Sequence, residues 1–525
     1  MLEDCSGAQA GPRVLKYVRF IRYTSKMAPQ AEKTEFVVDD DIRKAGLLSR
    51  RKPSAAGSTA EGPVKMFTKE EVAKHDRPED CWMIIRGKVY DVTAWVPKHP
   101  GGSLIYVKAG YENTQLFESY HPLYVRKMLD KFYIGDLERP AGAIAEPQWG
   151  YVEYDDDESE SSFYNTMKRR VEAHFKSKKI NPRNHPLMVF KSFFILFSYA
   201  ASFYFTFLWC SNTWLCALGA ASMGFFAAQF GMSIQHDANH GAYTDWLGLG
   251  YFMSLTLDCI GLSSFMWRQE HVVGHHAYTN VDQQDPDLSP GVSGKQADVL
   301  RMTENQPKAG FHAYQHIYMA FLYSIVFLKS IFLNDFQALI DGQTGVVRIA
   351  RMTPMETFFF WTTKAFYVGY MFVLPALYSP LSGWKIALLY VFSQVFIAWI
   401  LISVFQVAHV VEEVEYHKPT EAAGSLGGKV EKDWAKAQVA STADFAPGSL
   451  LWLHLTGGLS CQIEHHLFPG VCHVYYPEIA PIVQQTCKEF DVPYNCHPSL
   501  WAGLQSHFRH MRKMGVQNLD IRLDG

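Results

Sequence analysis

The pattern of apolar and polar positions divides the chain into unlike parts. Residues 1–61 mix polar and small positions without a period and end in Ser54-Ala55-Ala56-Gly57-Ser58-Thr59-Ala60, the composition of a flexible segment, so an N-terminal extension without stable structure is expected there. From 62 to 140, short β-rich runs (Trp82-Met83-Ile84-Ile85; Lys88-Val89-Tyr90-Asp91-Val92) alternate with helix-like stretches, as in a small α+β domain. Residues 141–180 read as a linker, and their acid run Asp155-Asp156-Asp157-Glu158 as solvated. Beyond Pro186 the pattern changes to long apolar runs: Leu187–Trp209, Trp214–Ile234, Ile317–Leu333, Thr357–Leu377 and Ile386–Val407, with a softer run over Leu247–Met266. A helix of about 20 residues crosses the hydrocarbon of a bilayer, so residues 181–515 are expected to form an all-α polytopic membrane domain, followed by a tail at 516–525.

Composition sharpens this picture. The mean hydropathy of −0.09 averages polar segments with membrane runs. A net charge of −3 excludes a basic nucleic-acid binder, and 48% hydrophobic residues exclude a wholly disordered chain. The nine cysteines include no C-x-x-C pair, which fits a reducing, cytosol-facing environment rather than a disulfide framework. The first 30 residues contain no apolar core of a secretory signal. The informative count is 21 histidines, because many are clustered.

In the N-terminal module His99 opens His99-Pro100-Gly101-Gly102, and His121 follows in Phe117-Glu118-Ser119-Tyr120-His121-Pro122. Two neutral imidazoles can hold a haem iron from opposite faces, which suits electron transfer. Together with Asp80-x-Trp82 and the closing Phe132-Tyr133-Ile134-Gly135, this run resembles a cytochrome b5 domain, which implies haem b with His99 and His121 as its axial ligands.

Three further groups lie beyond the cores of the apolar runs: His236-Asp237-Ala238-Asn239-His240, His271-Val272-Val273-Gly274-His275-His276, and Gln462-Ile463-Glu464-His465-His466. Spacing of i and i+4 puts His236 with His240, and His271 with His275, on one helix face. Seven imidazoles exceed the four ligands of one tetrahedral zinc, so two metals are the simplest count. His409 ends an apolar run, and Gln462 stands where another histidine would complete H-x-x-H-H, so both are near-metal candidates. Asp237, Asp285, Asp287 and His316 are candidates to orient the ligands from behind.

Metal ligands must share one side of the membrane. Leu187–Trp209 and Trp214–Ile234 therefore form one hairpin, Thr357–Leu377 and Ile386–Val407 a second, Leu247–Met266 lies at the interface and Ile317–Leu333 lies flat or re-entrant, giving four transmembrane helices beneath a cytosolic histidine-box cap.

The haem module, the three boxes and the glutamine of the third box together resemble a front-end fatty acid desaturase of the membrane di-iron family. The resemblance runs from about residue 65 to about 515. It implies two non-haem irons held by His236, His240, His271, His275, His276, His409, His465 and His466, with no catalytic side chain beyond the metal ligands. It also implies a polyunsaturated acyl substrate, a NADH–cytochrome b5 reductase as electron donor, and a multi-pass protein of the endoplasmic reticulum. Box two departs from many relatives in having three residues, not two, between its first histidine and the pair. Phe405 to Val414, Lys432-Asp433-Trp434 and Gly274 to Asn280 resemble Δ5 desaturases of fungi and algae acting on C20 chains. Δ4 or Δ6 desaturation and lipid hydroxylation use the same language. A non-catalytic membrane haem carrier would want single histidines inside helices, and a histidine-rich zinc transporter leaves the haem module unexplained.

Overall fold

The two-residue turn Arg86-Gly87, with φ of 53° and 71°, sets the first element pair. Two left-handed residues match the twist of a tight hairpin, and the turn joins β3 (Asp80–Ile85) to β4 (Lys88–Asp91) in register Ile84↔Val89. With β1 (Met66–Phe67), β2 (Asp76–Arg77) and β5 (Tyr133–Leu137) they form one sheet, ordered β1-β5-β4-β3-β2. Alternation along β3 sends Cys81, Met83 and Ile85 to one apolar cluster and Ile84 to another. Helix α1 (Thr114–Tyr120) lies beside this sheet and ends at His121. The structure is a computed structural model that describes residues 63–142, 147–288 and 298–517. The extension expected at 1–61 and most of the tail at 516–525 fall outside the described residues. Val64 onward forms one compact unit, so this module and the membrane domain share a body.

The expected linker is instead structured. Ser162 accepts from the Asn165 N–H and caps α2 (Phe163–Lys178), whose Phe163, Met167, Val171 and Phe175 recur every four residues and are buried. The acid run is tied down as well: Asp155 pairs with Lys429 at 2.8 Å, and Asp156 accepts from the Trp434 N–H at 2.8 Å. Reading acidity as solvation missed these partners because they lie some 275 residues away in sequence.

By length and apolarity, four of the described helices could cross a membrane: α3 (Pro186–Trp209), α4 (Thr213–Asn239), α7 (Gly310–Asp341) and α9 (Gly383–His409). Between α4 and α7 the chain makes α5 (Leu247–Cys259) and α6 (Ser264–Tyr278), bent by 106° at their junction. This set of four includes the run expected to lie flat or re-entrant and leaves out α8 (Pro354–Val368, continued by Gly369–Val373 and Leu374–Tyr378). Helix α8 carries Lys364, buried and 2.5 Å from Asp335, and Glu356, which lower its apolarity. Connectivity, however, sends α8 across. Gly224 of α4 backs onto Ser393 and Phe396 of α9, and Gly231 onto Leu401, so α4 and α9 run in the same direction. Small residues at such a contact let membrane helices approach closely. After α10 (Gln462–Leu467) and α11 (Tyr476–Glu489) comes α12 (Leu500–Val516), on which the start of α7 packs, where Gln315 donates to the Met511 carbonyl. His510 of α12 meets Tyr416, whose hydroxyl donates to the His409 carbonyl. The end of α7 returns to the same face, since the Ile349 N–H donates to Gly342 and the Ala350 N–H to Gln269, two residues before His271. Helix α8 therefore starts on the histidine face, as the Glu356–Arg268 pair also requires, and must reach the far side to feed α9 through 379–382. Two hairpins, α3–α4 and α8–α9, result.

Candidate metal centre and its haem module

His99 follows a single 3-10 turn (Val96–Lys98), and the Pro100-Gly101-Gly102 bend keeps it clear: a Cβ on Gly101 would come 2.8 Å from the His99 ring. His121 caps α1, and its Nδ1 lies 2.9 Å from the Phe117 carbonyl, so Nδ1–H donates there and Nε2 is left free. The two ring centroids are 5.8 Å apart, within about 0.5 Å of the separation of two imidazoles that hold one metal atom between them at about 2 Å. His99 Nδ1 is buried without a partner among the described residues. Burial, and then the neighbouring His121, pushes His99 down to about 4, which keeps it in the neutral, ligating form. These residues fit a haem.

Four elements converge on the larger cluster. The last turn of α4 presents His236 and His240, α6 presents His271, His275 and His276, α9 ends on His409, and the short helix α10 (Gln462–Leu467) presents His465 and His466. Ring nitrogens of His236, His240, His271 and His465 lie within 4.8 Å of one another, as do those of His275, His409 and His466. His276 stands between the sets, with Nε2 3.2 Å from His271 Nε2 and 3.0 Å from His465 Nε2. Two nitrogens each about 2.1 Å from one ion at a right angle lie about 3.0 Å apart, so this spacing suits shared metal ions. Box two lies on a π-helical turn over Arg268–His275. Its i to i+5 pitch brings His271 and His276 face to face, a recurrent use of such turns at functional sites.

Most of the rings are held from behind by an oxygen at Nδ1. For His240 it is the Tyr120 hydroxyl (2.7 Å), for His275 both Asp285 oxygens (3.1 Å), and for His409 the Ser441 carbonyl (3.3 Å). For His465 it is the Tyr476 hydroxyl (3.1 Å), and for His466 the Gln438 amide oxygen (2.9 Å). With Nδ1–H donating outward, each Nε2 is left as an inward lone pair. Buried His236 Nε2, His240 Nε2 and Gln462 Oε1 find no protein partner among the described residues, as atoms facing a cation would not. Burial pushes His465 and His466 well below the usual imidazole value, and neighbouring histidines add to it. The donor set fits two cations.

The sequence-derived candidates fare unequally. Asp285 lies behind His275, and Asp287 reaches the same nitrogen at 3.3 Å. Asp237 turns away from the centre to His473 Nδ1 (2.8 Å), whose Nε2 meets Lys191 at 3.1 Å. His316 packs on Phe508 in α12 and touches none of the clustered histidines, because i, i+4 spacing with His312 fixes a shared face but not which way it looks. Gln462 does enter the cluster, its amide 2.9 Å from His409 Nε2 and 3.2 Å from His466 Nε2. Tyr120, Gln438 and Tyr476 were not singled out from the sequence. Each is an isolated polar residue whose partner is distant in the chain, and only the Tyr120-His121 adjacency offered a hint.

Residues 212–498 match the family described as fatty acid desaturase, and residues 68–138 match the cytochrome b5-like haem/steroid binding domain. An acyl-lipid (8-3)-desaturase of Physcomitrium patens is 52% identical over 499 residues, covering 95% of this chain and 100% of that protein. An acyl-lipid (8-3)-desaturase of Mortierella alpina is 35% identical, covering 86% and 98%. Delta(5) fatty acid desaturase A of Dictyostelium discoideum is 32% identical, covering 86% and 94%. Among solved structures, cytochrome b558 of Ectothiorhodospira vacuolata is 41% identical over 14% of this chain and 100% of its own, with a TM-score of 0.14. A cytochrome b5 domain implies haem, and the desaturase domain with its clustered histidines implies a di-iron centre. The chain therefore belongs to the membrane fatty acid desaturases, in the front-end group that carries a fused N-terminal cytochrome b5 domain.

Proposed function

We propose that this desaturase inserts a cis double bond at the Δ5 position of C20 polyunsaturated acyl chains, converting 20:3n-6 to arachidonic and 20:4n-3 to eicosapentaenoic acid. The observation that carries the catalytic reading is the meeting of eight buried histidines in two adjoining sets, beside a haem module within the same body. The Δ5 reading is supported by the Phe405 to Val414 and Gly274 to Asn280 segments, which resemble Δ5 desaturases, and by the Delta(5) desaturase of Dictyostelium.

His99 and His121 are assigned as haem ligands, and His236, His240, His271, His275, His276, His409, His465 and His466 as iron ligands, with Gln462 at the edge of the second set. Bound iron supplies the dioxygen chemistry that removes two hydrogens from adjacent acyl carbons, with electrons arriving singly from the haem. Asp285, Gln438, Tyr476 and Tyr120 fix the ring orientations, and no side-chain general base is required. The electron source is a NADH–cytochrome b5 reductase, and the protein sits in the endoplasmic reticulum membrane with its haem and histidine face toward the cytosol.

Expression in yeast fed defined C18, C20 and C22 polyunsaturated acids, followed by mass-spectrometric location of the new double bond, tests the reading. A new bond at carbon 5 of both C20 acids is expected. Products at Δ6 of C18 or Δ4 of C22 acids alone would overturn the regiochemistry, and hydroxylated products would overturn desaturation.

A further inference from the structure

Helix α1 joins the two redox sites more closely than fusion of two domains requires. Its last residue is Tyr120, and the next residue is His121, assigned above to the haem. The Tyr120 hydroxyl lies 2.7 Å from Nδ1 of His240, assigned above to the iron centre. The phenol and imidazole rings are nearly parallel, with centroids 6.4 Å apart and planes at 20°. With His240 Nε2 kept for metal, its Nδ1–H donates to the phenol oxygen. One peptide link, one side chain and one hydrogen bond thus separate a haem ligand from an iron ligand.

The surroundings hold this arrangement rigidly. On the same helix Glu118 is buried and pairs with Arg86 (3.1 Å), Arg126 (2.6 Å) and Lys168 of α2 (3.1 Å). The other haem loop docks on the same ground: Arg268 donates to Ser103 at 3.0 Å, Gly102 backs onto Leu247, and Gly241, beside His240, backs onto Leu104. The module is seated by its two histidine-bearing loops, rather than hanging by a tether.

We propose that Tyr120 is the coupling residue through which electrons pass from the haem to the di-iron centre within one chain. Each transfer oxidises one ferrous haem to ferric and reduces one ferric iron of the pair to ferrous; no bond is made or broken, and Tyr120 stays a neutral phenol throughout. Because the link is built in, transfer is independent of protein concentration and needs no undocking. The inference rests on the ligand assignment proposed above.

The test uses the full chain in nanodiscs, loaded with haem and iron, without substrate and under argon. The haem is reduced by a flash-excited ruthenium donor, and its reoxidation is followed at the reduced haem band. In the wild type, a concentration-independent reoxidation is expected; its absence in protein containing haem and two irons would overturn the site assignment itself. Tyr120→Phe keeps the ring and removes the oxygen. It should slow reoxidation on the order of 10- to 100-fold, while the Soret band and haem midpoint potential stay at wild-type values, and the iron content of each preparation is measured alongside. An unchanged rate in that variant would overturn the role of Tyr120 alone. If Tyr120→Phe loses iron, the rate is read in Tyr120→Gln, which restores an oxygen acceptor without the ring. Slow transfer there with iron retained supports the aromatic path, and wild-type transfer rejects it.

Discussion

The side-chain amide of Gln462 lies 2.9 Å from Nε2 of His409 and 3.2 Å from Nε2 of His466, inside the ring of clustered imidazoles. Amide oxygen and nitrogen exchange places by a half-turn, so a carbonyl can face the point where those two lone pairs converge. Gln462→Leu removes both polar atoms at similar volume. It should lower iron content and cut product formation on the order of 10- to 100-fold with the Soret band intact, whereas Gln462→Glu, which keeps an oxygen, should retain iron. Iron analysis and product chromatography on the same preparations check this, and full iron in Gln462→Leu would contradict it.

The two redox sites should fail separately. His465→Ala removes a ring common to two of the histidine groupings, so product should vanish while the haem spectrum remains. His99→Ala should abolish the Soret band and most product, with part of the activity recovered when free cytochrome b5 is supplied. Chelation of iron should mimic the first variant and be reversed by ferrous iron. Activity at the wild-type level in either variant would contradict the site.

Glu118 anchors α1, and with it Tyr120 and His121. Burial alone would raise its carboxyl, but Arg126, Lys168 and Arg86 outweigh burial and hold it down at about 2, against an ordinary 4.5. A depressed carboxyl stabilises the folded state above its unfolded value, and that contribution is lost as pH falls from 4.5 toward 2. Glu118→Gln, which strands the buried Lys168, should cost about 3 kcal/mol at pH 7. It should also flatten the acid limb of stability between pH 4.5 and 2. Melting followed at the haem band across pH checks both, and parallel pH profiles for wild type and variant would contradict the account.

How much of this could be read from the sequence depended on whether the signal was local. The histidine boxes and the His-Pro-Gly-Gly turn carry their chemistry within a few residues, and the clustered rings are those the spacing suggested. The four-span count was also recoverable, because ligands on one face force an even number of crossings. What was lost is non-local. Gln438 meets His466 from 28 residues away and Tyr120 meets His240 from 120, and no periodicity marks either. Helix α2 was hidden behind an acid run whose cationic partners lie in distant segments. His316, a candidate drawn from a helical repeat, packs on Phe508, because such a repeat tells which residues share a face, not what that face meets.

The parallel contact between α4 and α9 ties membrane packing to metal binding. A Cβ at position 224 would come 2.9 Å from the Ser393 carbonyl and 3.3 Å from Phe396, backbone and ring atoms with little room to retreat, whereas one at 231 would meet only the end of Leu401 at 3.3 Å. Gly224→Val should therefore cost about 1–3 kcal/mol of overpacking and push the helices apart, while Gly231→Ala should be tolerated by a rotamer change of Leu401. Because the last turn of α4 carries His236 and leads into His240 while α9 ends on His409, the displacement reaches both sets of imidazoles. Gly224→Val should thus lower the melting temperature and the iron content together, leaving the haem band in place. A variant that melts earlier yet keeps both irons would show that the histidine cluster is positioned by the cap alone and not by the spans beneath it.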